Sequence, residues 1–99
     1  SNVVPVIDTL STVNTDTSVT GALATLTGEN GSSDTVNDTD GLKWSITAGN
    51  TLNSFSIDAS SGVLSKNSAS SPSGTFNLTI RLEDANGNTV NGSLFAELQ

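Results

Sequence analysis

From Thr75 to Glu83 every second residue is large and apolar. Phe76, Leu78, Ile80 and Leu82 fall on one side of an extended chain, and Thr75, Asn77, Thr79, Arg81 and Glu83 fall on the other. Side chains of a strand point to opposite faces in turn, so the pattern demands a half-buried β-strand with one face on a core and the other in water. At helical spacing the same apolar residues scatter around the axis, and the β-branched Thr and Ile positions lower helix propensity further. Asp84-Ala85-Asn86-Gly87-Asn88 then ends the strand with residues that tolerate left-handed backbone angles and bond their own main chain. Beyond it Val90, Leu94, Ala96 and Leu98 share a face, so the last two strands read as a hairpin with matching apolar sides.

The rest of the chain repeats this grammar in shorter pieces. Val3 to Leu10 has extended character, with Pro5 confining it to an edge or to a first strand. Thr12 to Ser18 reads as polar and turn-like. Val19 to Thr27 reads as a strand in which Leu23 and Leu26 are both buried although three apart, which a bulge near Ala24-Thr25 reconciles. Glu29 to Gly41 has no apolar period and carries acids without Lys or Arg, so it reads as a loop. Leu42, Trp44, Ile46 and Ala48 alternate with Lys43, Ser45 and Thr47, placing the single Trp in the core. Phe55 and Ile57 face inward, Asp58 to Gly62 turns, and Val63-Leu64-Ser65 resumes, whereas Lys66 to Gly74 is Ser-rich and irregular. About seven short strands, frequent turns and no helical stretch describe an all-β, immunoglobulin-like Greek-key β-sandwich spanning residues 1–99 as a single domain. Because Ser1 opens the chain without Met, it reads as a domain excised from a larger protein.

Composition narrows the function. Three basic residues against ten acidic ones give a net charge of −7, with no basic stripe to neutralise phosphates, which argues against nucleic-acid binding. The absence of Cys and His removes disulfides, thiolate-bound zinc and the usual general base. No apolar run approaches the length of a membrane-spanning helix, so no membrane insertion is expected. The close carboxylate sets, Glu83-Asp84 and Asp38/Asp40, sit in loops or at a strand end with nothing apolar to raise a pKa toward neutrality, so an enzyme is not expected.

The order DTDGLKWSI, then FSIDASSGVLS, then SPSGTFNLTIRLEDANG resembles cadherin-like repeats of the dystroglycan type and the related immunoglobulin-like repeats of large bacterial surface proteins. The likeness covers Asp38 to Gly87, and the stretch before it, Gly21 to Thr27, matches only loosely. It implies a cadherin-like sandwich strung in tandem with others, a non-catalytic spacer, display or adhesive module at an extracellular, cell-surface or virion-surface location. Its partners would be neighbouring domains of the same chain, and cell-surface carbohydrate or protein.

The resemblance also implies Ca²⁺ as a weak cofactor, because the acids before the third strand and after the penultimate one contribute to calcium in cadherins. Those positions are Asp38, Asp40 and Asp84 here, with Asn86 and a backbone carbonyl as further oxygens. They meet only if the loop before the third strand lies beside the final hairpin turn, and the same Asp residues serve equally as turn caps. The family's other acids are missing, since Ser65 to Ser71 holds no Asp or Glu and no DxNDN-like linker follows Leu98. Phe95 is out of phase with Leu94, Ala96 and Leu98, so it either faces solvent as a ligand contact or covers the sheet edge, and it reads equally as a lone surface apolar residue. A carbohydrate- or surface-ligand-binding module acting through loops at one end is the alternative function.

Overall fold

The computed structural model describes residues 4–31 and 40–99, and these form nine strands with one 3₁₀ turn over Thr51–Asn53. They are β1 (Val6–Ile7), β2 (Val13–Thr15), β3 (Gly21–Thr25), β4 (Gly28–Glu29), β5 (Lys43–Ala48), β6 (Phe55–Ile57), β7 (Val63–Lys66), β8 (Gly74–Glu83) and β9 (Thr89–Leu98). Seven of them make the two sheets of a sandwich, ordered β2-β9-β8-β5 and β3-β7-β6, while β1 and β4 form a two-stranded ladder beside them. The expected all-β sandwich is therefore the architecture observed.

Strand β8 realises its alternation in full. Leu78, Ile80 and Leu82 are completely buried and Phe76 nearly so, while Asn77 and Arg81 are exposed. Strand β9 runs antiparallel beside it over its whole length, from Thr89 opposite Glu83 to Leu98 opposite Gly74. Leu94, Ala96 and Leu98 join the same core, and each fully buried aliphatic side chain contributes about 1.5–3 kcal/mol of transfer free energy. Trp44 lies in that core as expected, and the Phe55 and Phe76 rings meet edge to face at 5.2 Å, tying the two sheets together.

Irregular positions separate the sequence pattern from the fold. The register of β3 against β7 shifts between Ala22 and Ala24, so the bulge expected at Ala24-Thr25 falls slightly earlier. It leaves Leu26 buried and Leu23 packed on the core from its edge. A second shift, between Ile46 and Ala48, turns Ala48 out to solvent although the alternation placed it inside. Among the described residues of the extended run from Val3 to Leu10, only Val6–Ile7 is strand, and Pro5 before it is buried. The stretch from Thr12 to Ser18 is not all turn, because Val13–Thr15 pairs parallel with Ala96–Leu98. Lys66, read as the start of an irregular segment, is the last residue of β7 and is buried.

Register also fixes where the chain enters and leaves. Ile7 pairs with Gly28, whose Cα faces Trp44 and Leu82, so the described N-terminus lies at the end of the sandwich that carries the Asp84–Asn88 turn. Gln99 exchanges main-chain hydrogen bonds with Thr15 and Thr17 at the other end. The long axis between these ends is 44 Å, against 19 and 18 Å across.

Candidate functional site

At the entry end the β8–β9 turn is built around one carboxylate. Asp84 is 4 % exposed, and its Oδ1 accepts the main-chain N–H groups of Asn86 and Asn88 at 2.9 Å each while Oδ2 accepts Asn88 Nδ2 at 3.0 Å. Its own main chain closes the loop, with Asp84 N–H donating to the Asn88 carbonyl at 2.9 Å and Gly87 N–H donating to the Asp84 carbonyl at 3.2 Å. Burial opposes ionisation most strongly. The Asn88 side chain and the N–H groups of Asn88, Asn86 and Gly87 together outweigh it and hold the carboxyl below the usual aspartate range.

The loop before β5 does lie against this turn. A Cβ placed on Gly41 would sit 2.7 Å from that of Ala85, so the two segments touch, and the Gly41 backbone, at φ +74°, is already in the left-handed region. Asp40 beside it is exposed, and its carbonyl accepts Asn30 Nδ2 at 3.0 Å, tying the segment after β4 into the same end. Asp38 lies outside the described residues.

For calcium, the described side chains of the expected set are Asp40, Asp84 and Asn86, and the turn already takes three of the about four lone pairs that the Asp84 carboxylate offers. Calcium takes six to eight oxygens. Among the described residues no group of three or more His, Cys, Asp or Glu side chains converges. The described part of the set therefore does not by itself fit the ion.

Asp58 anchors the β6–β7 turn in the same manner as Asp84. Its Oδ1 accepts the N–H groups of Ser61 at 2.8 Å and Ser60 at 2.9 Å, and these bonds, Ser61 first, lower its pKa from the ordinary value. Sequence reasoning placed a turn there but had no signal for the role of this carboxylate beyond the Asp-Ala-Ser-Ser-Gly composition.

Phe95 stands on the outer face of the four-stranded sheet, 44 % exposed, directly across from Asn77. It projects from mid-sheet rather than from the loops at either end. Surface clefts lie along the flanks of the sandwich. The cleft beside Pro5–Leu10 includes Asp8, and those lined by Thr9–Asn14 with β3, by Trp44 with Ser60 and Ser61, and by Gly49 with Pro72 contain no carboxylate. Glu83 and Asp58 line none of these four.

No model of a known protein family and no curated protein matches the chain. Among solved structures it is similar to protocadherin gamma B2 extracellular cadherin domains 3–6, with a TM-score of 0.79 and 13 % identity over 99 % of this chain and 26 % of that one. It is similar to the human desmocollin-1 ectodomain, with a TM-score of 0.74 and 18 % identity over 99 % of this chain and 20 % of that one. Mouse cadherin-23 EC22–24 gives a TM-score of 0.77 and 17 % identity over 99 % of this chain and 31 % of that one. The chain thus has a cadherin-like fold, and it spans a fifth to a third of the length of these structures.

Proposed function

We propose that the chain is a non-catalytic spacer or adhesive module of a larger extracellular protein, joined end to end with neighbouring domains. The observation that carries this reading is the placement of chain entry and exit at opposite ends of a 44 Å long axis, which lets each module extend a rod. The cadherin-like fold supports it, because the similar structures are themselves extracellular pieces several domains long. A bacterial surface or virion setting is the finer form of this proposal. A direct fusion of two copies is expected to give, by small-angle scattering, a maximum dimension near twice 44 Å. Side-by-side packing, with a maximum dimension close to that of one copy, would count against the spacer reading.

Calcium stiffening by Asp38, Asp40 and Asp84 is a second proposal, favoured by the contact of Gly41 with Ala85, which brings the Asp40 segment to the Asp84 turn. Its test is the melting of this protein in about 5 mM Ca²⁺ against chelator, a concentration above the roughly 10⁻³ M limit of weak extracellular sites. A higher melting temperature with calcium, abolished by Asp40→Ala, supports the site. Identical melting in the two conditions removes it. The alternative of a carbohydrate or surface-protein ligand rests on Phe95, and its contact would be made by the sheet face around Asn77 and Phe95 instead of by end loops.

A further inference from the structure

The sequence contains three Asn-Gly pairs, Asn30-Gly31, Asn86-Gly87 and Asn91-Gly92, and the fold treats them very differently. An Asn side chain followed by Gly can react with its own backbone. The Gly main-chain nitrogen attacks the Asn Cγ, the new N–Cγ bond forms as the Cγ–Nδ2 bond breaks, and the displaced nitrogen leaves as ammonia with the proton from the attacking N–H. Water then opens the resulting five-membered succinimide at either carbonyl, giving aspartate or its β-linked isomer. The only co-reactant is water. The requirement is conformational freedom, because the Gly nitrogen must swing back toward the side chain that precedes it.

Asn91-Gly92 is denied that freedom. Asn91 pairs with Arg81 and Gly92 with Ile80 in the middle of the β8–β9 ladder. Gly92 is also roofed, since a Cβ on it would come within 2.9 Å of Leu10 Cδ1 and 3.6 Å of Ile7 Cδ1. Asn30 has its side-chain amide donating to the Asp40 carbonyl at 3.0 Å, which restrains the reacting group.

Asn86-Gly87 sits at the tip of the β8–β9 turn with none of these restraints. Asn86 is exposed and no hydrogen bond among the described residues fixes its side chain. Gly87 is at φ +85° with nothing within 4 Å of where a Cβ would be, so the peptide has space to turn. Its N–H donates to the Asp84 carbonyl at 3.2 Å, the long end of the normal N–H···O range, and bears more weakly on the Asp84 carboxylate than the Asn86 and Asn88 N–H groups do.

We propose that Asn86 is a self-modification site, converting through a succinimide formed with Gly87 to aspartate and isoaspartate while Asn91 and Asn30 are held unreactive by the fold. Each conversion takes the net charge from −7 to −8 and adds a carboxylate to the entry end, two residues from Asp84. The isoaspartyl product also lengthens the main chain by one atom inside the loop that Asp84 closes, so it loosens the N–H bonds of Asn86 and Asn88 to Oδ1. This inference is independent of what the module contacts.

The test is incubation of the folded protein in mildly alkaline buffer at body temperature, followed by peptide mapping, each conversion adding about 1 Da. Asn86 is expected to convert at least about tenfold faster than Asn91, and the two rates are expected to converge in denaturant, where the ladder no longer protects Asn91. Asn86→Gln should abolish the early acidic form seen by charge-separating chromatography, and Asn91→Gln should leave it. Conversion at Asn91 or Asn30 in the folded protein as fast as at Asn86 would overturn the proposal, as would persistence of the early acidic form in Asn86→Gln.

Discussion

Gly49→Ala is expected to remove about 4 kcal/mol or more of stability, enough to leave much of a domain of this size unfolded. Strand β5 ends at Ala48 after its register shift, and the chain then passes so close to β8 that a Cβ on Gly49 would lie 1.8 Å from the Asn77 carbonyl oxygen and 3.2 Å from Leu78 Cα. Those neighbours are backbone of the strand that carries the core, so no side chain can rotate away to make room. The residue is also at φ +81°, where an L side chain adds about 1–2 kcal/mol of its own. Gly87→Ala is the matched control, because its φ is +85° and its surroundings are empty. It should cost only the conformational part, about 1–2 kcal/mol. Thermal or denaturant melts of the pair separate steric exclusion from backbone strain, and equal losses would mean that Gly49 is required for its φ alone.

How much of this was legible beforehand depends on what enforces each element. The faces of β8 and β9 and the place of Trp44 follow from an alternation that a strand between core and water must keep, so Phe76 to Leu82 could be oriented from sequence alone. Strand β2 could not. Val-Asn-Thr has no periodicity to read in three residues and becomes a strand only because Ala96–Leu98 offers a free parallel edge. Ala48 was misplaced for a related reason, since the bulge after Ile46 inverts every later face and no residue type announces it.

The entry end shows the same divide. The chemistry of Asp84 was ambiguous in sequence between a turn cap and a metal ligand, because both use an Asp before Asn and Gly. Its hydrogen bonds to Asn86 and Asn88 are a property of the closed turn. The contact between Gly41 and Ala85 joins segments more than forty residues apart, which local pattern does not encode. Lys66 was missed because a lysine in a Ser-rich run is ordinarily solvated.

Lys66→Ala is expected to cost about 3 kcal/mol, a large loss for a residue that sequence alone assigns to the surface. The side chain is 2 % exposed in β7, between Gly21 and Phe55 in the ladder. Its Nζ donates to the Thr17 carbonyl at 2.5 Å and to the Ser68 carbonyl. The ammonium thereby closes the exit end, holding the β2–β3 connection against the segment after β7, where Ser71 Oγ also donates to the Ser68 carbonyl at 3.1 Å. Truncation to Ala removes the packed stem and the donors together. Lys66→Met keeps most of the stem, sheds the cost of burying a charge and frees two loop carbonyls to reach water, so its loss should be nearer about 1 kcal/mol. Both variants should speed amide hydrogen exchange in residues 16–19 and 67–71 while leaving β8 and β9 protected under native conditions. A Lys66→Ala loss within about 0.5 kcal/mol, the range of ordinary surface changes, would show that the exit end is held without it.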